Sequence, residues 1–581
     1  MKARGSTAQG TAFLPAENPI ARLPAARRVL VIGGGVAGLT AAHELAERGF
    51  EVTVVERRAW GGKSRSIPVP GSAVAGRSPL PGEHGYSFVP GFYRHLPDTV
   101  ARIPSLDDGR SVWDHMVAQS GVRYARIGGR EDPVVLSHRA GAVDRGFTRR
   151  QLRAWSQQMR HLGVGRYLGF CRRFLVFATS SDERRFGEWE HTTWWDFVNA
   201  EAQGPEFQKV LVDGVSQHLV AARGDLASTR SIGTLGEAYV YAALRLSTTS
   251  ENGVVLDAPS SEAWIDPWVA HLGSLGAVCL LGVSVDAIEI SDGRVSAVTV
   301  SGPGAAARRI EADWFVCATA VSEARTLLDD DVLAVDPSLA GLRELRTEWM
   351  NGIQFFLTRP VPVINGPVDY IDSPWALVSG SQAQWWKRDL AAYGDGTVRE
   401  VLSVNISNFT SPGVLFGKPA RECSPQEMAA EVLAQVRQAL DVPGRPSIIP
   451  DDIVHSWFLD PALRMDGGVM VNDEPLIVSY AGSWNARPTA TTKVPNLFLA
   501  GDYVRDNLSC ATMESANQTG RLAANGVLEA SGATAAPARI FSLYQPPGIG
   551  MLKRLDRARF RRGLAHILDR RDRSGSPDAP A

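Results

Sequence analysis

Five residues, Arg28-Val29-Leu30-Val31-Ile32, run straight into Gly33-Gly34-Gly35-Val36-Ala37-Gly38. A stretch from Leu39 to Arg48 follows, with Leu39, Ala42, Leu45 and Ala46 on one helical face, and Gly49 stops it. A short β-branched run closed by glycine reads as a buried strand, and the spacing of the apolar residues beyond it predicts an amphipathic helix. Gly33-x-Gly35-x-x-Gly38 at the junction matches a dinucleotide-binding turn. In such a turn the first glycine permits the sharp reversal, the second lets a pyrophosphate approach the backbone, and the third lets helix and strand pack closely. The helix amino end, just after Val36 and Ala37, then stabilises the phosphate charge. Glu51-Val52-Thr53-Val54-Val55 predicts a second strand, and Glu56 at its end lies 18 positions beyond Gly38. That is close to the roughly 20 expected of a ribose-binding acid. An ordinary glycine turn in an α/β unit would not require an acid there.

The rest of the composition narrows the class. With 581 residues the chain exceeds one ordinary domain. Apolar residues at 44%, charged residues at 21% and a net charge of -1 give no reason to invoke nucleic acid. No apolar run approaches the ~18–20 residues of a spanning helix, and MKARGSTAQG lacks the apolar core of a secretion signal. The expectation is a cytoplasmic protein, soluble or peripherally attached to a membrane. The five cysteines, Cys171, Cys279, Cys317, Cys423 and Cys510, are far apart and form no C-x-x-C pair. H-E-x-x-H and G-x-S-x-G are both absent, so metal and serine hydrolysis lose their usual signatures, and no metal is expected.

NAD and FAD share this fold, and later residues choose between them. Arg57 and then Trp60-Gly61-Gly62-Lys63-Ser64-Arg65 place a glycine pair and cations just past the acid. Near the other end, Val494 to Asp502 reads as a buried strand ending in Gly501-Asp502, followed by Ala511-Thr512-Met513-Glu514-Ser515-Ala516 and a helical stretch from Arg521 to Leu528. On these motifs the chain resembles the FAD-dependent amine oxidase and phytoene desaturase superfamily. It is most similar to plant-type phytoene and ζ-carotene desaturases and hydroxysqualene dehydroxylases. Lys63 stands where the desaturases carry lysine, and Gly82-Glu83-His84 with Gly91-Phe92-Tyr93 is similar to their GxH…GxY segment, with three extra residues between the halves. Pro259-Ser260-Ser261-Glu262 through Val285 and Ile288 looks like their passage from substrate lid to adenine-contacting strand, and 312–319 like the strand returning beneath the cofactor.

The resemblance implies an α/β fold: a Rossmann-like FAD-binding domain of the two-dinucleotide-binding-domain flavoprotein type, with an inserted mixed α+β substrate domain. The FAD domain would comprise 28–95, 255–334 and 486–535, and the substrate domain 96–254, mainly helical, and 335–485. Residues 1–27 would be a flexible lead, and 536–581 a basic helix and tail. FAD would be held by Gly33, Gly35, Val36, Ala37, Gly38, Glu56, Arg57, Gly61, Gly62, Lys63, Val285, Gly501, Asp502, Thr512 and Met513. Val285 would meet adenine through its backbone, Asp502 the ribityl or pyrophosphate, and the helix near Met513 would point its positive end at the flavin pyrimidine.

Two departures weigh against simple amine oxidation. Amine oxidases place a water-bridging lysine on the strand that here reads 349–357, where the approximate register gives Asn351, and Thr512 stands where their aromatic cage needs tyrosine. Ser515 replaces a glycine of the late motif and is expected to narrow the space by the flavin. The expected chemistry is dehydrogenation or isomerisation of a lipophilic, isoprenoid-like substrate, with oxygen or a quinone as electron acceptor. His84 is the expected proton acceptor or orienter at the reactive face, with Tyr86, Tyr93 and Arg505 as further candidates. Trp194, Trp195, Trp264, Trp268, Trp375, Trp385 and Trp386 either anchor the core or line an apolar tunnel. Residues 551–573 hold nine Lys/Arg against three acids, with Leu552, Leu555, Leu564, Ile567 and Leu568 spaced for one apolar helix face, a candidate membrane-surface element. A soluble amine oxidase and a non-catalytic prenyl-protein escort of the GDP-dissociation-inhibitor type, which shares the fold, remain the alternatives.

Overall fold

The computed structural model describes residues 27–569, apart from 120, 133–155, 158, 245, 247–252, 304, 362 and 364. Its centre is a five-stranded parallel sheet with the order Leu497–Leu499, Trp314–Cys317, Arg28–Ile32, Glu51–Glu56, Val278–Leu281. Parallel strands buried on both faces read as continuous apolar runs, as VLVI and WFVC do here. Alternate residues divide between the two faces. Val29, Val31, Val52 and Val54 join the core beneath the helix Val36–Ala46, which packs on the long helix Met513–Ser531. Leu30, Ile32 and Val55 pack instead beneath a three-stranded antiparallel meander, Ser284–Ser291, Arg294–Gly302 and Ala305–Ile310, through Ile288, Val295 and Val298.

A second, seven-stranded sheet has the order Val454–Leu459, Asn351–Leu357, Glu400–Ile406, Val378–Ser381, Val368–Tyr370, Arg123–Arg126, Arg130–Asp132. Strands from 123–132 and from 351–459 both contribute to it. Helix Pro425–Leu440, opened by a Ser424/Glu427 capping box, buries its apolar stripe of Met428, Val432 and Val436 on this sheet. The region 96–254 is helical in Val164–Thr179 and Thr229–Ala243 but also supplies strands, so the expectation of a mainly helical insertion is incomplete. Its segment 151–155 and residue 158 lie outside the described residues, as do 1–26 of the lead.

The basic C-terminal helix spans Ile549–Phe560, and the chain then turns through Gly563 at φ 68°. The single apolar face expected to reach Leu568 is therefore broken: Leu564, Ile567 and Leu568 follow the helix, and 570–581 lie outside the described residues. Asp556 anchors the helix, fully buried, accepting from Ser181 N–H at 2.8 Å and from Arg184 Nε at 2.9 Å.

Candidate active site

Where the parallel strands end, their loops and the inserted sheet enclose a cavity of about 830 Å³. Such a volume lies in the upper part of the range for small-molecule and cofactor sites. Gly33, Gly35, Val36, Ala37, Glu56, Arg57, Gly61, Gly62, Lys63, Val285, Gly501, Asp502, Thr512 and Met513 all line it. Gly38 does not, and its place is explained by packing: a Cβ there would sit 1.9 Å from the Gly33 carbonyl oxygen. Gly33 itself has φ +105°, a backbone state that side chains rarely allow. At Gly35 a Cβ would have only Gly62 Cα as neighbour, at 3.9 Å, so the missing side chain leaves open space at the start of helix Val36–Ala46. The first-turn N–H groups of a helix have no partner within it. Here they face a cradle suited to a diphosphate.

Polar groups complete that cradle. Glu56 caps the turn, accepting from Gly34 N–H and Arg58 N–H, each at 2.7 Å. Lys63 Nζ donates to the Pro475 carbonyl at 2.6 Å, while Arg65 pairs with Glu474 at 3.0 Å, fixing the Gly61-Gly62 loop to the chain at 473–475. Thr512 caps helix Met513–Ser531 through Ser515 N–H, and the amino end of this helix opens on the cavity. Arg487, 1% exposed, donates to the Asp502 carbonyl at 2.6 Å and to Ser479 Oγ at 2.9 Å, holding the loop that carries Asp502. The glycine-lined opening, the acid beside it and two helix amino ends fit an FAD diphosphate and its ribose.

The expected reactive residues separate. His84 lines the cavity, with Nδ1 2.6 Å from Asp460 Oδ2 and 3.9 Å from Glu474 Oε2. Its Nε2 is buried and has no hydrogen-bond partner among the described residues. Burial pushes the Asp460 carboxyl up, but His84 and the Asn351 amide, 2.6 Å away, outweigh it and hold that carboxyl below its usual value. Tyr86 lines the cavity and stacks between Phe88 and Trp385; burial pushes its phenol up, and Gln119 donates to its hydroxyl. Tyr93 lines it too, and burial likewise keeps its phenol protonated.

Arg505, by contrast, is not a cavity residue. It lies over the Trp484 ring at 5.2 Å and donates to the Asn485 carbonyl, so its expected catalytic place is corrected to a structural one. Asn351 is also turned away, into hydrogen bonds with Asp460 and Asn472, and Met350 lines the cavity instead. Ser515 is fully buried against Thr512 Oγ1 and Asp506, so it narrows nothing beside the cofactor. None of the seven tryptophans lines the main cavity. Trp194, Trp268 and Trp375 are core, and Trp264, Trp385 and Trp386 border a separate hollow of about 30 Å³.

The same cavity is also lined by Phe92, His218, Leu219, Val220, Leu235 and Tyr239. His218 and its partner Asp369 gave no sequence signal, because they stand 151 positions apart on a four-residue helix and a three-residue strand. A further cluster, His43, Glu47 and His271, lies elsewhere in the helical layer. His43 Nδ1 accepts the Trp268 indole N–H at 3.2 Å, so Nε2 carries the proton and donates it to Glu47 at 3.0 Å. No lone pair of His43 is left for a metal.

Fold and site together define a flavin-dependent oxidoreductase. The chain belongs to the flavin containing amine oxidoreductase family, whose model matches residues 36–528, and it uses FAD. Among characterised proteins it is similar to a carotenoid phi-ring synthase from Chlorobaculum tepidum, 26% identical over 294 residues, or 49% of this chain and 41% of that protein. The chain thus matches less than half the length of that relative. Among solved structures it is similar to cyclohexylamine oxidase from Brevibacterium oxydans, with a TM-score of 0.54, 15% identity and coverage of 87% of this chain and 99% of that one. An oxidoreductase from Methanosarcina mazei gives a TM-score of 0.55 at 13% identity, covering 86% and 100%. At these identities the structural likenesses speak for the fold alone. An FAD oxidoreductase leaves no place for the escort alternative.

Proposed function

We propose that this enzyme dehydrogenates a lipophilic, isoprenoid-like substrate. One observation carries the reading: Phe92, Leu219, Val220, Leu235, Met350 and Val378 give the cavity an extended apolar wall, with His218 and Tyr239 as the polar side chains beside it. A relative named for carotenoid ring synthesis supports the substrate class. FAD, held by the Gly33–Gly38 turn, Glu56, Lys63 and Asp502, supplies the hydride-accepting chemistry. The chain's own residues bind and orient. The apolar wall excludes water, Tyr86 and Tyr93 remain neutral donors, and His84 stands in the cavity beside the Asp460 carboxylate.

Delivery of such a substrate follows from the surface. The C-terminal helix exposes Met551, Leu552 and Leu555 beside Arg554 and Arg557, the latter paired with Glu183, an apolar patch with flanking cations suited to the face of an anionic membrane. No helix among the described residues is long and apolar enough to cross a membrane.

Mass spectrometry of polyisoprenoids incubated with the holoenzyme and a quinone tests the reading. A product lighter by two hydrogens is the expected result. An isomer of unchanged mass would replace dehydrogenation by isomerisation, and turnover of cyclic or aliphatic amines alone would replace the substrate class.

A further inference from the structure

Inside the apolar part of the cavity stands one buried acid–base pair. His218 Nδ1 lies 2.6 Å from Asp369 Oδ1, and both residues are 6% exposed. His218 lines the cavity and Asp369 does not, so the imidazole stands between the carboxylate and the space a substrate would fill. A carboxylate on Nδ1 fixes the tautomer and leaves Nε2 as the exchanging atom. Among the described residues no hydrogen bond to His218 Nε2 is made. The backbone is shaped around this residue as well. The short helix Gln217–Val220 ends at Ala221, which adopts a left-handed conformation at φ 52° and ψ 20°, a state non-glycine residues seldom take.

Among the described residues that line the cavity, His218 and His84 are the two histidines. Burial pushes the phenols of Tyr239, which lines the cavity, and Tyr124, paired in register with Asp369, well above their usual value. Asp213, raised by burial, is the second carboxyl acting on His218, and is itself influenced by Arg223 and Asp225. Burial pushes the His218 imidazole down, but Asp369 and Asp213 outweigh it and the net direction is up. A base with its pKa raised towards the working pH is efficient when unprotonated.

Resting on the dehydrogenase reading above, we infer that His218 is the catalytic base of the substrate half of the cavity, with Asp369 as its positioning residue. The substrate loses a hydride from one carbon, taken up by the flavin. It loses a proton from the adjacent carbon to His218 Nε2, and the electron pair of that second C–H bond becomes the new C=C bond. Asp369 stabilises the imidazolium that results, as a buried carboxylate does behind a catalytic histidine.

The test compares wild type, His218→Gln and Asp369→Asn as FAD-loaded proteins of equal visible spectrum. First, histidine side chains labelled with 15N are titrated by NMR, the His218 signal being the one absent from His218→Gln. A wild-type midpoint above the ordinary 6.5, falling in Asp369→Asn, is expected; a signal that Asp369→Asn leaves in place overturns the pair. Second, anaerobic flavin reduction is timed with whichever substrate bleaches the wild type. His218→Gln is expected to slow it by about 10²- to 10⁴-fold. In Asp369→Asn the acid limb of the rate profile is expected to move to lower pH, because the active form is the neutral imidazole and its pKa has dropped. Reduction of His218→Gln at the wild-type rate refutes the base assignment. Bleaching by amines but never by lipids sinks the substrate reading while the same comparison still judges His218.

Discussion

Replacing Gly35 by alanine separates cofactor binding from folding. Gly35 has φ −76° and ψ −179°, a conformation open to any residue, and an added Cβ would meet only Gly62 Cα at 3.9 Å. The entropy the alanine removes from the unfolded chain, about 0.4–1 kcal/mol, is offset by its poorer fit as a helix cap, so stability should stay within about 1 kcal/mol of wild type. The methyl group instead fills the space above the first-turn N–H groups, where the diphosphate would approach. A hydrogen bond to a charged group is worth about 1.5–3 kcal/mol. Losing one weakens FAD binding by about 10- to 150-fold. Gly38→Ala is the control: its Cβ would fall 1.9 Å from the Gly33 carbonyl oxygen, so helix and strand must separate at a cost of about 3 kcal/mol. Urea unfolding of the apoproteins gives stability, and quenching of FAD fluorescence gives affinity. Apo-Gly35→Ala as stable as wild type but deficient in FAD is the expected pattern. Gly35→Ala binding FAD within twofold of wild type, or losing as much stability as Gly38→Ala, would refute the placement of the diphosphate.

Other perturbations read other parts of the site. Glu514 is buried, and accepts from Arg94, His95 and Leu96 N–H at 2.8, 2.8 and 3.0 Å, with His95 Nδ1 at 2.7 Å. Burial raises its carboxyl, yet these partners hold it below the usual value. The stability it contributes is therefore full above an unfolded pKa of about 4.3 and lost as pH falls through the folded one. Glu514→Gln should cost about 3 kcal/mol at pH 7 and flatten the acid side of a urea-stability profile. Arg487→Met strands the Asp502 carbonyl, while the Ser479 hydroxyl still donates to the Ser509 carbonyl; a loss of about 1–3 kcal/mol by thermal or urea unfolding is expected, with faster release of FAD into a filtrate. Leu552→Glu with Leu555→Glu, at exposed positions, should leave the melting temperature unchanged and abolish flotation with anionic vesicles.

The nucleotide-binding half was legible because local backbone rules dictate it. A strand that must end in a tight turn, a helix that must touch it and an acid at the next strand end leave glycine and glutamate few substitutes, and Gly33 to Glu56 could be read in order. Side chains brought together by long-range packing left no such trace. His218 and Asp369 meet only because strand Val368–Tyr370 pairs with Arg123–Arg126 and returns beside the short helix Gln217–Val220. Arg487 looks like a surface cation in sequence, and only burial reveals it as the support of Asp502. Arg505 misled for the converse reason: its nearness to Asp502 in sequence is undone by the turn between them, which directs it to Trp484. Tryptophans are large apolar volume first, and those expected in a tunnel mostly serve the core, as Trp268 and Trp375 do at 0% exposure.

The most direct measurement is the visible spectrum of the purified holoenzyme, recorded anaerobically while polyisoprenoids and then small amines are added. An oxidised flavin band that bleaches with the lipids and not with the amines is expected from a cavity whose apolar wall flanks His218. A band that bleaches only with amines would contradict the account of the substrate, and a protein that shows no flavin band after incubation with FAD would contradict the account of the site.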